Sequence, residues 1–214
     1  MKIIIVILAF LFYLPLGAQE LHIKNTKAGI FSLGARTSIG IVNDGKWQKP
    51  AFGTGGQFRI QFSDRINTDW FIDYLTADLA DYAWRRDIHI GWSVIYYLSK
   101  RQDRFIQPYI LAGHCFESLK FTDNNNSNNF ANRWSASIQG GAGLQFNITE
   151  RFDLSLVTQY MIHLGTKVTA ANSEDITTFT KTSGLGIQDH DLIHISLNYK
   201  ITIQFEFVPA FIHS

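Results

Sequence analysis

Apolar and polar residues alternate along most of the chain beyond residue 28. In 52–62, Phe52, Thr54, Gly56, Phe58, Ile60 and Phe62 share one face, opposite Gly53, Gly55, Gln57, Arg59 and Gln61. In 134–146, Trp134, Ala136, Ile138, Gly140, Ala142, Leu144 and Phe146 oppose Ser135, Ser137, Gln139, Gly141, Gly143 and Gln145. In 193–207, Ile193, Ile195, Leu197, Tyr199, Ile201, Ile203, Phe205 and Phe207 oppose His194, Ser196, Asn198, Lys200, Thr202, Gln204 and Glu206. Successive side chains of a strand point to opposite faces, so a period of two predicts strands with one apolar and one polar face. Windows 30–41, 70–77, 88–98 and 154–164 repeat the pattern with weaker contrast. Window 106–116 reads as a strand whose residues do not separate into faces, which makes eight strands.

The connections alternate in length. Those at 63–69, 99–105 and 147–153 are short, and those at 42–51, 78–87, 117–133 and 166–191 are longer. Each short one carries an acid, an arginine and an apolar residue: Asp64-Arg65-Ile66, Asp103-Arg104-Phe105 and Glu150-Arg151-Phe152. Strict alternation predicts an all-β, antiparallel up-and-down meander with two unlike ends.

The start of the chain follows another rule. Met1 and Lys2 precede an apolar run from Ile3 to Leu14, then Pro15-Leu16-Gly17-Ala18. As a helix that run spans ~18 Å, against ~30 Å of bilayer hydrocarbon. Residues 1–18 therefore read as a secretory signal peptide cleaved before Gln19. No cysteine follows the site, so lipoprotein processing is not expected. After Gln19 no apolar run is long enough for a transmembrane helix.

Composition narrows the options further. Hydrophobic residues are 46% and aromatics 14% of 214, which excludes a disordered chain. A net charge of +1 provides no field for nucleic acid, and none is expected as a partner. The single cysteine, Cys115, excludes an internal disulfide and a Cys-rich zinc site; it reads as a packing residue.

An eight-stranded barrel can be soluble, with its apolar face inward, or membrane-inserted, with that face outward. Charge placement favours insertion. The eight windows contain only five charged residues, Arg36, Arg59, Asp73, Lys200 and Glu206. A polar face of Gln, Ser, Asn, His and Gly suits a narrow lumen in which side chains bond one another and Gly relieves crowding. The expected lumenal network is Arg36, Gln57, Arg59, Gln61, Asp73, His89, Gln139, Gln145, Gln159, His163, His194, Asn198, Lys200 and Glu206. Ten to eleven residues at ~3.3 Å, tilted by ~40°, give about 25–28 Å, matching a hydrophobic band of about 25 Å. The apolar face carries bulky aromatics near predicted strand ends: Phe31, Phe52, Phe62, Trp70, Tyr96, Trp134, Phe146 and Phe205. These are the expected interfacial girdle.

Catalytic and metal motifs are nearly absent. The chain has no GxGxxG, P-loop, CxxC or HExxH, and no cofactor is expected. The acidic, Asn-rich run 123–129 lacks the glycine of a calcium loop, and Trp134 stands where its bidentate Glu belongs, so it reads as a polar loop. His89, His163 and His194 fall on lumenal faces and can in principle hold a metal. They read instead as neutral imidazoles in the lumenal network, with no metal expected. His194-Ile195-Ser196 places a base and a hydroxyl on one face. Glu206 lies ~33 Å further along an extended strand, too far to orient that histidine. No catalytic residue is therefore expected. Residues 78–87, with Tyr82, Trp84, Arg85 and Arg86, read as an outer loop able to touch lipopolysaccharide phosphates.

In these features the chain resembles the small outer-membrane β-barrel proteins of Gram-negative bacteria, the OmpA-barrel, OmpX and OmpW-like group, and the outer membrane β-barrel domain proteins of Bacteroidetes. The resemblance covers about residues 29–207. Its carriers include Pro108-Tyr109-Ile110-Leu111-Ala112-Gly113, similar to the group's fifth strand, and Tyr199–Phe207, similar to its aromatic-ended last strand. In the group that aromatic ends the chain, whereas here a tail, 208–214, follows. The resemblance implies periplasmic termini, with 19–28 a periplasmic segment, short periplasmic turns and longer extracellular loops. It also implies residence in the outer membrane as a monomer, in contact with lipid and lipopolysaccharide, after insertion by the barrel-assembly machinery. The expected role is structural, adhesive or surface-binding. A porin-like narrow channel for small or apolar solutes is the alternative. A lipid-modifying hydrolase is a third reading, because the lipid A deacylases carry a similar His-x-Ser. In that family an Asn follows, where this chain has Leu197.

Overall fold

The computed structural model describes residues 29–42, 50–99, 104–173, 176–182 and 186–202. The expected signal peptide 1–18, segment 19–28 and tail 208–214 lie outside the described residues, as do Phe205 and Glu206. Ten strands are described: β1 (Ile30–Val42), β2 (Ala51–Gln61), β3 (Ile66–Leu79), β4 (Ala83–Tyr97), β5 (Ile106–Asp123), β6 (Phe130–Asn147), β7 (Phe152–Gly165), β8 (Val168–Ser173), β9 (Ile176–Lys181) and β10 (Gly186–Thr202). Eight of them close a barrel in the order β1-β10-β7-β6-β5-β4-β3-β2, and β8 and β9 form a separate hairpin. Every barrel pairing is antiparallel, and Ile30↔Thr202 to Val42↔His190 closes the ring. Closure removes the free sheet edges that would otherwise template aggregation.

The expected eight-stranded meander is present, but its strands are longer than the period-two windows. β5 and β6 each have 18 residues. At ~3.3 Å per residue and a ~40° tilt, such a strand rises ~45 Å, well beyond a hydrophobic band of about 25 Å. The connections shrink accordingly. The expected loop 117–133 is reduced to 124–129, and 78–87 to the three residues 80–82. The expected 166–191 loop folds as the β8–β9 hairpin, and β10 already begins at Gly186. Length alternation fails in the middle of the chain: the 80–82 connection is shorter than the 62–65 one before it, and 98–105, after β4, is longer than both 80–82 and 124–129.

The 80–82 turn escaped notice for a physical reason. Ala80 (φ 48°) and Asp81 (φ 66°) both occupy the left-handed region, as the two central residues of a type I′ turn do. Glycine or asparagine usually signals this geometry, and neither is present. The neighbours stabilise it instead. Tyr82 N donates to Leu79 O at 3.1 Å, Asp81 N to Asp78 Oδ1 at 3.0 Å, and Asn124 Nδ2 to Asp81 O at 2.7 Å.

The barrel is polar inside and apolar outside. Inward positions of β4 run Ala83, Arg85, Asp87, His89, Ser93, Ile95 and Tyr97; outward ones include Ile88, Ile90, Trp92 and Val94. The ambiguous 106–116 window now has faces: Gln107, Tyr109, Leu111 and Cys115 point inward, Ile106, Ile110 and Phe116 outward. Its contrast is low because apolar residues occupy its inward row. They belong to three apolar layers that cross the lumen. One, near the 62–65 and 148–151 turns, holds Ile95, Tyr97, Tyr109, Leu111 and Val157. The second includes Phe71, Leu75, Cys115, Met161 and Leu192. The third lies at the far end, where Val168 of the β8–β9 hairpin joins Leu79, Leu119 and Phe121.

Lumenal glycines make room for these layers. A Cβ at Gly143 would lie 2.5 Å from Tyr109 Cζ, and one at Gly91 would lie 2.7 Å from Phe71 Cζ. Gly143→Val should therefore lower the urea midpoint of the refolded barrel by an amount equivalent to about 1–3 kcal/mol, measured by tryptophan fluorescence. An unchanged midpoint would show that Tyr109 has other space.

Candidate functional site

Among the described residues the lumen holds two polar clusters, which adjoin where Asp73 of β3 pairs in register with His89 of β4. The cluster nearer the short turns is a chain of alternating charges. Arg36 (β1) lies 3.0 Å from Asp73 and 3.8 Å from Asp69 (both β3), with its guanidinium 4.5 Å over the Phe71 ring. Arg59 (β2) reaches Asp69 at 3.3 Å and Asp153 (β7) at 4.0 Å, and donates to Ser155 Oγ at 3.1 Å. Lys200 (β10) ends the chain 3.3 Å from Asp153. Amides link the charges around the wall. Gln57 Nε2 donates to Asn198 Oδ1 at 2.6 Å and to Ser196 Oγ at 3.2 Å, and Asn198 Nδ2 donates to Asp153 Oδ1 at 2.8 Å. Tyr97 OH donates to Gln145 Oε1 at 2.7 Å. These groups come from strands on opposite sides of the ring, so the network spans the lumen.

The second cluster lies toward the β8–β9 end. Arg85 Nε donates to Asp87 Oδ2 at 2.8 Å, and Arg85 Nη2 is 3.6 Å from Glu117 Oε1. Arg133 Nη2 and Ser135 Oγ donate to Glu117 Oε2 at 2.6 and 2.8 Å. Around that carboxylate stand His89, His163 and His190.

Placement of the expected lumenal residues follows from this. Arg36, Gln57, Arg59, Gln61, Asp73, His89, Gln139, Gln145, Gln159, His163, His194 and Asn198 are all buried inside the barrel, and Lys200 is partly buried. Gln139 Nε2 donates to Ser93 Oγ at 2.6 Å, and Gln61 Nε2 to Ser63 O at 3.0 Å. The histidine trio is regrouped. His194 stands apart, its Nδ1 2.7 Å from Ser38 Oγ, and His190 takes its place beside His89 and His163. Ser196 bonds Gln57, so His194 and Ser196 do not form a nucleophile–base pair.

Sequence reasoning missed Asp69, Arg85, Asp87, Glu117, Arg133, Asp153 and His190, all of them buried in the lumen. Each lay beyond a window edge. Extending the period from His89 back through Asp87 and Arg85 would have recovered part of the second cluster. Arg85 is thus no loop residue: it is 0% exposed, whereas its neighbour Arg86 faces outward.

Of the expected girdle residues, Phe52, Phe62, Trp70, Tyr96 and Trp134 are exposed on the outer surface, with Trp134 at 71%, and Phe31 and Phe146 are partly exposed. An aromatic stripe crosses four strands: Phe31–Phe58, Phe58–Trp70 and Trp70–Trp92 have ring centroids 5.8, 5.8 and 6.1 Å apart. Toward the β8–β9 end the outward residues change character along one row. Thr76 pairs with Arg86, Arg86 with Lys120, and Lys120 with Asn132. Below this row the large exposed side chains are Ile, Leu, Val, Phe, Trp and Tyr, with His114 and small residues such as Thr37 among them; above it the strands continue as a collar. On β5 the outer row from Ile106 to Phe116, apolar except for His114, which packs against Phe116, rises ~25 Å, the thickness of an outer-membrane band.

Above the collar, Asp123 caps its own turn. Its carboxylate accepts from Asn125 N and Asn129 Nδ2, both at 2.9 Å, which holds it below the usual carboxylate range. Those acceptors are committed within the 123–129 turn.

No protein-family profile matches the chain, and no curated protein matches its sequence. Solved structures match its shape. Neisserial surface protein A aligns with a TM-score of 0.55 at 11% identity, over 81% of this chain and 98% of its own. The outer membrane protein OprG from Pseudomonas aeruginosa gives 0.54 at 16%, over 82% and 97%. The outer membrane protein AlkL gives 0.53 at 14%, over 86% and 95%. The fold is therefore that of the small eight-stranded outer-membrane β-barrels. At these identities the likeness extends to the fold alone.

Removing one partner from a buried ion pair leaves a charge without compensation. Arg36→Ala should thus lower the unfolding free energy by about 3–5 kcal/mol in urea titrations of the refolded barrel. Arg36→Met combined with Asp73→Leu should recover much of that loss. Equal losses in the single and double variants would show that the pair does not act as a unit.

Proposed function

We propose that this chain is an integral outer-membrane protein whose barrel is a filled, non-conducting body with a structural or surface-binding role. The observation that carries this reading is the burial of the lumenal charges. Arg36, Arg59, Asp73, Arg85, Asp87 and Glu117 are each 4% exposed or less. A water-filled path would wet its polar lining, and these groups meet one another instead. Eight strands leave a bore that side chains can fill.

The surface offered to partners is the collar and hairpin. Phe179 of β9 stacks on Phe121 at 6.0 Å, Tyr82 OH donates to Ala170 O at 3.4 Å, and Asn129 Nδ2 donates to Thr177 O at 2.9 Å. These contacts hold the hairpin against the barrel mouth, while Ile176 stays 65% exposed on it. Arg86 and Lys120 sit where the exterior turns polar, at the height of lipid phosphates, which suits contact with lipopolysaccharide. The closed barrel fits a monomer inserted by the barrel-assembly machinery. The separation of His194 from Ser196 favours a non-catalytic role over a lipid-modifying one.

Planar-bilayer recording tests the filled lumen. Purified protein should give no discrete single-channel steps, and stable unitary conductance would overturn the reading. Replacing residues 168–181 by a short Gly-Ser linker should leave a protease-resistant barrel whose unheated form still migrates faster on gels. Loss of the folded band would make the hairpin part of the barrel's core rather than its presented surface.

A further inference from the structure

His89 (β4), Glu117 (β5), His163 (β7) and His190 (β10) each offer one ligand atom, and all four atoms lie within 4.8 Å of one another. None of the four side chains is more than 2% exposed. They come from four strands and meet only because the barrel closes.

Their spacing suits a shared ion better than hydrogen bonds. His89 Nε2 is 3.6 Å and His190 Nδ1 3.9 Å from Glu117 Oε1. His163 Nδ1 is 3.3 Å from both Glu117 Oε2 and Ser135 Oγ, which leaves its Nε2 for an ion. Nitrogen–oxygen hydrogen bonds run about 2.7–3.2 Å. Two ligands on one tetrahedral ion, each about 2.0–2.2 Å from it, stand about 3.3–3.5 Å apart. Both ring nitrogens of His89, His163 Nε2 and Glu117 Oε1 also lack any hydrogen-bond partner. Buried polar atoms normally have one. One ring nitrogen each from His89 and His163, together with Glu117 Oε1, is therefore placed to share a single ion.

We propose that His89, Glu117, His163 and His190 form a buried site for a first-row divalent transition ion, with zinc as the reference. Three imidazoles and one carboxylate are the donor set such ions prefer. Arg133 and Ser135 hold Glu117 through Oε2, which fixes the carboxylate and leaves Oε1 for the ion. One residue works against binding. Arg85 Nη2 lies 3.0 Å from His190 Nε2, and arginine can only donate, so Nε2 accepts and Nδ1 carries the ring proton. An ion at Nδ1 needs the opposite tautomer, so Arg85 must turn from His190 while keeping Asp87. Its positive charge also repels the ion. Arg85 therefore sets the affinity.

The test is equilibrium dialysis of metal-free, detergent-refolded full-length protein against zinc, with metal content measured by mass spectrometry. Cobalt serves as a spectroscopic probe. Gel mobility, heated and unheated, establishes folding. Wild type should hold one zinc per chain, and cobalt should show the strong visible bands of a four-coordinate nitrogen-rich site. His89→Ala and Glu117→Gln should weaken retention about 100-fold. Arg85→Gln should tighten it at least about tenfold by removing the repulsion. The control His114→Ala, outside the lumen, should change nothing. Folded wild type without stoichiometric zinc would overturn the proposal, as would retention that survives both ligand variants. If those variants do not fold, Arg85→Gln decides: affinity unchanged or weaker contradicts the site.

Discussion

A barrel that turns its apolar face outward must solve its electrostatics within a bore a few side chains wide. Everything else in this structure depends on that constraint. The lumenal charges have almost no water, and a lone buried charge is costly. They therefore come as alternating chains: Asp73, Arg36, Asp69, Arg59, Asp153 and Lys200 in one cluster, Asp87, Arg85, Glu117 and Arg133 in the other. Every link except Asp87–Arg85, which lies within β4, joins residues from different strands, so strand register and charge pairing specify each other. A slip of one residue would turn these charges into lipid.

The apolar side chains that alternate with these polar groups along the strands have a complementary task. Phe71, Met161 and Leu192 lie between polar layers and exclude water that would otherwise weaken the pairs. Lumenal glycines such as Gly91 and Gly143 admit the aromatic rings that complete these layers. The interior is thus stratified along the barrel axis. The exterior is stratified as well, by the Thr76–Arg86–Lys120–Asn132 row above the apolar band.

Much of the fold was legible because alternation is a strong signal where the two faces differ sharply. β2, the lower part of β6 and β10 announced themselves in that way. The signal failed where lumenal positions are apolar, as with Tyr109 and Leu111 on β5, or Phe71 and Leu75 on β3. It also failed where strands rise past the membrane, because the outer row there turns polar. Arg86 and Lys120 broke the pattern, so the segments holding Arg85, Glu117 and Arg133 read as loops. The paired lumenal charges of Arg36, Arg59 and Asp73 were legible as a group, though not their partners. The regrouping of His190 with His89 and His163 depends on barrel closure, which no local pattern contains.

The central claim is that this barrel carries its apolar face outward into lipid and its charges inside. Fractionation of cells expressing the untagged protein tests it most directly, with the membrane fraction run on gels heated and unheated. The claim predicts recovery in the outer membrane and a band whose mobility shifts on heating. Recovery as a soluble periplasmic protein with no heat-dependent shift would contradict it.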